Sequence, residues 1–187
     1  MTDTFQRYQQ HLATPSDIQH HLPLLFSLAR GNVLELGTRS GVSTAALLAG
    51  VERHGGFVHS VDIEDCRHVA EGHAQWFFIR GDSRNPEIAE QVDTPIDLIL
   101  IDTQHEYEIA QAELALWHTH LVPGGTICMH DTETFPGVRR AAQEFADAHG
   151  WPITFVLPCH GMAVITRPMD GVSAEGSSWA MEEAHER

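Results

Sequence analysis

The chain has 187 residues, 42% of them apolar and 20% charged, which suits one folded domain able to bury its own core. Its net charge of -15, with 26 acidic residues against 11 basic ones, argues against a nucleic-acid binder that must neutralise phosphates. All the basic residues are Arg, so mechanisms needing a P-loop, Schiff-base or catalytic lysine are excluded. Ser16 and Asp17 are expected to cap a helix running through Leu22, Leu25 and Leu28 to Ala29, with Gly31 stopping it, inside a helical segment 1–30. Asn32–Leu36 reads as a first strand, Val42–Arg53 as a helix, Phe57–Asp62 as a second strand and Cys66–Gly72 as a short helix. Gln75–Arg80 is a third strand, and Pro86–Val92 a helix with Pro in its first turn. Asp97–Asp102, DLILID, is apolar between its ends, as a strand covered on both faces should be. A helix over Glu106–His120 is expected to break at Pro123–Gly125, before a fifth strand Thr126–His130 and a helix Val138–His149. Four residues separate the strand-like runs Ile153–Leu157 and Met162–Thr166. That is too short for a parallel crossover, so they form an antiparallel hairpin.

The expected fold is therefore α/β: a Rossmann-like seven-stranded sheet of five parallel strands plus a C-terminal antiparallel hairpin, with helices on both faces. Residues 1–167 form a single domain and 168–187 a flexible tail. The three widely spaced cysteines (Cys66, Cys128, Cys159) make no disulfide framework or zinc knuckle, and Cys128 reads as a core thiol. Neither a signal-peptide pattern nor a membrane-spanning run is apparent, so a cytoplasmic location and no membrane partner are expected.

VLELGTRSGVST, Val33–Thr44, is the strongest local signal. A strand delivers Glu35 into a loop where Gly37 allows a sharp turn, and a helix starts near Gly41. The spacing is E-x-G-x-x-x-G, not the G-x-G-x-x-G that a dinucleotide pyrophosphate favours at a helix N-terminus. A ligand carrying an ammonium group and ribose hydroxyls suits carboxylates instead. Asp62 ends the second strand, where an acid would serve several nucleoside cofactors alike. Further along, Asp102 ends the fourth strand with His105 three residues on, and His130–Asp131 end the fifth. Neighbouring strands lie about 4.8 Å apart, so these carboxylates can share one point, and their mutual repulsion invites a cation such as Mg²⁺. His20, His21, His54, His68, His118 and His120 read as surface residues. Cys159 and His160 lack the partners of a zinc site.

ELGTRSGVST resembles motif I of the class I methyltransferases, which use S-adenosylmethionine (SAM). The resemblance implies that Glu35, Gly37, Thr38, Ser40 and Gly41 line the methionine end of SAM. It places Asp62 on the ribose, and Asp82 and Ser83 at the adenine edge. From Asp17 to Asp131 the chain is similar to the group of macrocin- and mycinamicin-type sugar O-methyltransferases and cephalosporin-hydroxylase-like proteins. That similarity implies a divalent metal, Mg²⁺, on Asp102 and Asp131 with His130 as a third ligand, and His105 as general base. Thr103 and Gln104 stand where the group often has Gly and Asp, so no carboxylate lies beside His105. The implied reaction is methyl transfer to a hydroxylated small molecule, a sugar or natural product. A metal-independent methyltransferase and a non-catalytic SAM-binding accessory protein are the alternatives; a nicotinamide dehydrogenase is opposed by both the glycine spacing and the hairpin. A homodimer is expected, with Leu22, Leu25 and Leu28 exposed beside the acceptor side.

Overall fold

The computed structural model describes residues 3–170. Helices α1 (Asp3–Ala13) and α2 (Leu22–Leu28) precede β1 (Gly31–Leu36), α3 (Val42–His54), β2 (Gly56–Asp62) and β3 (Trp76–Arg80). Then come α4 (Pro86–Ala89), β4 (Ile96–Ile101), α5 (Tyr107–Trp117), β5 (Leu121–His130), α6 (Pro136–His149), β6 (Ile153–Val156) and β7 (Met162–Thr166). The seven strands are ordered β3-β2-β1-β4-β5-β7-β6, with β7 antiparallel to both β5 and β6. This is the expected sheet. Strand order reverses between β1 and β4, where a doubly wound sheet opens its ligand crevice beyond the carboxyl ends.

Strand alternation divides the core in two. Leu98 and Leu100 of β4, with Val33 and Cys128, pack under α1, α2 and α3. Ile99 and Ile101, with Leu34, Leu36, Ile127 and Met129, pack under α4, α5 and α6. These side chains are almost wholly buried, and truncating one of the leucines to Ala would cost about 2–5 kcal/mol. The same alternation turns Glu35, on Val33's side, toward α3.

The N-terminal segment differs from expectation. Two helices form instead of one, because Phe5, Tyr8 and Leu12 give α1 an apolar stripe of its own, and Tyr8 stacks on Phe26 of α2 at 5.0 Å. Ser16 and Asp17 cap neither helix; Pro23 sets the first turn of α2. Leu22 and Leu25 are fully buried in the core, so they are not the exposed dimer surface that was expected. Gly31 begins β1 and does not stop a helix. Pro123–Gly125 lie within β5, where a register shift between Ile96 and Leu98 absorbs them as a bulge. The short helix expected at Cys66–Gly72 contracts to a 3-10 turn at Arg67–Val69, and the last turn of the helix expected over Glu106–His120 is 3-10, His118–His120. Most of the expected tail, 171–187, lies outside the described residues. Among the described residues no helix is long and apolar enough to cross a membrane.

Candidate active site

A cleft of about 380 Å³ opens at the carboxyl ends of β1, β2, β3 and β4, within the size range of small-molecule sites. Gly37 is required there by close approach. Its φ is +92°, and a Cβ would lie 2.0 Å from the carbonyl oxygen of Asp102, so the β1 and β4 loops touch backbone to backbone. Gly41 (φ +81°) leads into α3, and a Cβ there would strike Val69.

Asp62 lines the cleft and braces the loop at the same time. Its Oδ2 accepts from the backbone N–H groups of Thr38 (2.8 Å) and Arg39 (2.9 Å), and its Oδ1 from Glu64 N–H (2.9 Å). Burial acts to raise its pKa, but the N–H donors of Arg39, Glu64 and Thr38, with the Cys66 thiol, outweigh it and hold the carboxyl below its ordinary value. Thr38 is buried with its hydroxyl unpartnered, and Ser40 is exposed on the loop. Asp82 also lines the cleft, with its two oxygens on Arg84 at 2.8 and 2.6 Å.

Glu35 departs from expectation. Fully buried, it accepts from Ser43 (2.7 Å), Thr44 (2.8 Å) and Ser60 (2.6 Å), and it does not line the cleft. The alternation of β1 aims it under α3, where it supports the loop from below. Burial pushes its pKa up to about 7 despite the three hydroxyls. Ser83 does line the cleft, but its hydroxyl donates to Glu113 of α5. Glu113 is the residue that sequence reasoning missed. Wholly buried, it also accepts from Thr103 Oγ1 at 2.8 Å, tying the loop after β3 to the loop after β4. Its signal was present: Glu113 stands four residues from both Ile109 and Trp117, on the stripe that α5 buries.

Beyond β4 and β5 lies the second constellation. Asp102, His105 and Asp131 each offer one ligand atom, and the three atoms lie within 4.8 Å of one another. Asp131 takes φ +66°, and its Oδ2 is 2.6 Å from His105 Nε2. The His105 ring stacks on Phe135, centroids 4.1 Å apart. His130 is not part of that trio. Its side chain is fully buried, its Nε2 donates to the carbonyl of Cys159 (2.9 Å), and His21, buried rather than at the surface, uses the same carbonyl at 3.2 Å. His130 Nδ1 lies 3.3 Å from Asp102 Oδ1 and 3.3 Å from Asp131 Oδ2, ion-pair contacts that lack hydrogen-bond alignment. Burial would lower the His130 pKa, but the two carboxylates outweigh it and push it up to about 10. The structure thus gathers Asp102, Asp131 and His105, and sets His130 behind the carboxylates. Cys159 Sγ meets His20 Nδ1 at 2.9 Å on the hairpin turn, and no third ligand completes a metal group there among the described residues.

This loop after β1, the strand order and the acidic cleft coincide with a family model described as a methyltransferase domain, matched over residues 34–132. The chain belongs to that methyltransferase family. The class I SAM-dependent resemblance read from motif I therefore stands. No curated protein matches the chain. Solved structures share its fold at low identity. The MycE methyltransferase of the mycinamycin biosynthetic pathway, in complex with Mg, SAH and mycinamycin VI, is 19% identical with a TM-score of 0.68. That match covers 98% of this chain but 57% of MycE, so the chain spans little more than half of the MycE length. An O-methyltransferase from Bacillus cereus in complex with SAH is 18% identical with a TM-score of 0.63, covering 89% of this chain and 91% of its own. A protein from Corynebacterium glutamicum gives 13% identity and a TM-score of 0.69, with 91% and 92% covered.

Proposed function

We propose that this methyltransferase moves the methyl group of SAM to a hydroxyl oxygen of a small molecule, a sugar or other natural product, with the help of a divalent metal. The observation that carries this reading is the cluster of Asp102, His105 and Asp131 ligand atoms, within 4.8 Å of one another, with Asp102 lining the cofactor cleft. The two hard carboxylates of Asp102 and Asp131 would hold a cation of the Mg²⁺ or Mn²⁺ kind, and the His105 imidazole beside them is left to take a proton. Such an ion, when bound, would make a nearby hydroxyl more acidic. The Mg, SAH and mycinamycin VI bound together in MycE support the same pairing of groups.

The residues supply positioning and a proton acceptor. Gly37 lets the loop after β1 rest on the Asp102 carbonyl, which fixes that loop, the one that would hold SAM, relative to Asp102. His105 Nε2 lies 2.6 Å from Asp131 Oδ2; a hydroxyl bound beside the ring gives its proton to the imidazole, and Asp131 stabilises the imidazolium. The oxygen then forms a bond to the methyl carbon as the carbon–sulfur bond breaks, and sulfur keeps the electron pair as neutral S-adenosylhomocysteine. Phe135 fixes the plane of the His105 ring by stacking.

A second reading has its own observation. His130 Nδ1, 3.3 Å from both carboxylates, supplies positive charge from within the protein, so transfer can proceed without a metal. Release of S-adenosylhomocysteine from SAM across a panel of hydroxylated acceptors separates the readings. Turnover that collapses with EDTA, returns with Mg²⁺ or Mn²⁺ and is lost in Asp102→Asn supports the metal-dependent route. Turnover indifferent to EDTA selects the metal-free one, and SAM binding without turnover on any acceptor points to an accessory protein.

A further inference from the structure

SAM carries a carboxylate on its methionine tail, and an acidic cleft must find positive charge for it. The reasoning here rests on the SAM reading above. Most backbone donors of the loop between β1 and α3 are already committed: Gly37 N–H donates to Val61, Gly41 N–H to Thr38, and Thr38 and Arg39 N–H to Asp62. What is left points to one place. α3 has 13 residues and begins after Gly41 without a side-chain cap, so its first-turn N–H groups, which favour negative charge, lack a side-chain acceptor. In the same loop the Thr38 hydroxyl, on a residue only 2% exposed, has no hydrogen-bond partner.

Two cations line the cleft, Arg39 and Arg84. Arg84 is spent on Asp82 through both guanidinium contacts and its own backbone N–H. Arg39 makes one contact, Nη1 to Asp17 Oδ2 at 3.2 Å, and its side chain is 84% exposed. A guanidinium with one donor engaged keeps the others open, and its planar fork matches a carboxylate. Among the described residues that line the cleft, Asp62, Glu64 and Asp102 offer acids to the ammonium of SAM, and Arg39 is the cation left for the carboxylate. We propose that Arg39, beside the uncapped start of α3 and the Thr38 hydroxyl, binds the methionine carboxylate of SAM, and that Asp17 positions the guanidinium from the N-terminal segment.

Calorimetry with two ligands tests this. S-Adenosylhomocysteine carries the carboxylate; S-adenosyl-3-thiopropylamine keeps the amine and lacks it. The wild type should bind the first about tenfold or more tightly than the second, the scale of a charge-assisted hydrogen bond. In Arg39→Gln that preference should vanish: affinity for S-adenosylhomocysteine falls about tenfold while affinity for the decarboxylated analogue is unchanged. The unchanged analogue affinity also shows that the variant is folded. Arg39→Lys should keep part of the preference, as a point charge without the fork. A variant that weakens both ligands equally, or leaves S-adenosylhomocysteine untouched, overturns the assignment. A wild type that binds both ligands equally well overturns it while leaving the SAM reading intact; one that binds neither removes both.

Discussion

In the loops after β1, β2 and β3, the acidic side chains are already answered by the protein. Asp62 takes three backbone N–H groups, Asp82 takes Arg84 in a fork, and Glu35 takes three hydroxyls. In the loops after β4 and β5 the situation is reversed. Asp102 and Asp131 converge on one point, and among the described residues the basic groups set against them are imidazoles, of His105, His130 and His160. The first region is a finished cradle whose shape does not depend on a ligand. The second is a concentration of charge whose balance depends on where protons, or a cation, reside. On the proposed reading the cofactor binds the finished half, and the reactive groups lie in the half that is electrostatically open.

The largest effect expected from breaking this contrast is at His105. Replacing it with Ala removes the imidazole on Asp131 and should lower turnover by about 10²–10⁴-fold, the range for losing a general base. S-Adenosylhomocysteine affinity should stay at the wild-type level, because no hydrogen bond of the loop after β1 involves His105. Parallel calorimetry and turnover on one preparation would check both. Equal losses in binding and turnover would mean that the two halves are not separable.

A smaller effect, of unusual sign, is expected at Glu35. Its folded pKa is raised from 4.5 to about 7, so the folded state holds a proton that the unfolded chain gives up. The stability tied to that proton is present below pH 4.5 and is lost as the pH rises to about 7, by about 3 kcal/mol. Glu35→Gln keeps the shape, and Ser43, Thr44 and Ser60 can turn their hydroxyls to meet an amide. Denaturation in urea should therefore find Glu35→Gln no more stable than wild type at pH 4 and more stable at pH 8. A variant less stable at pH 8 would show that the ionised carboxylate is what the three hydroxyls hold.

The sequence carried the fold further than it carried the chemistry. DLILID, buried on both faces, and the four residues between the runs Ile153–Leu157 and Met162–Thr166 were enough for the sheet and its antiparallel end, because chain length alone forbids a parallel crossover. Motif I located the cofactor loop by the same kind of local constraint. Which side chains reach the cleft was harder. Glu35 was legible as an acid on a strand, but its aim under α3 follows from which face α3 covers. His130 and Asp131 are adjacent and should point to opposite sides of a regular strand end; the φ of +66° at Asp131 brings its carboxylate over to His105 while the His130 ring stays buried. Asp tolerates a positive φ better than most residues, but residue type alone does not say which Asp adopts it. Glu113 could have been found, since an acid on the buried stripe of a helix demands partners, but Ser83 and Thr103 come from two distant loops.

The smallest expected effect sharpens the comparison most. Asp82 was expected at the adenine edge, and it does line the cleft, but its two oxygens are held by Arg84 in a half-exposed pair. Exposed pairs of this kind contribute about 0–1 kcal/mol to stability, since solvent screens both charges. Asp82→Asn keeps an oxygen for the Arg84 backbone N–H, which holds the turn after β3. If the cofactor half is a finished cradle, this variant should bind S-adenosylhomocysteine within about threefold of wild type, a change of under ~1 kcal/mol. Raising the salt concentration should narrow even that gap, because the interaction removed is a screened one. A tenfold loss that persists in high salt would mean the carboxylate reads the adenine directly and leaves Arg84 to do so. The first region would then resemble the second, with charges arranged for the ligand and not for each other.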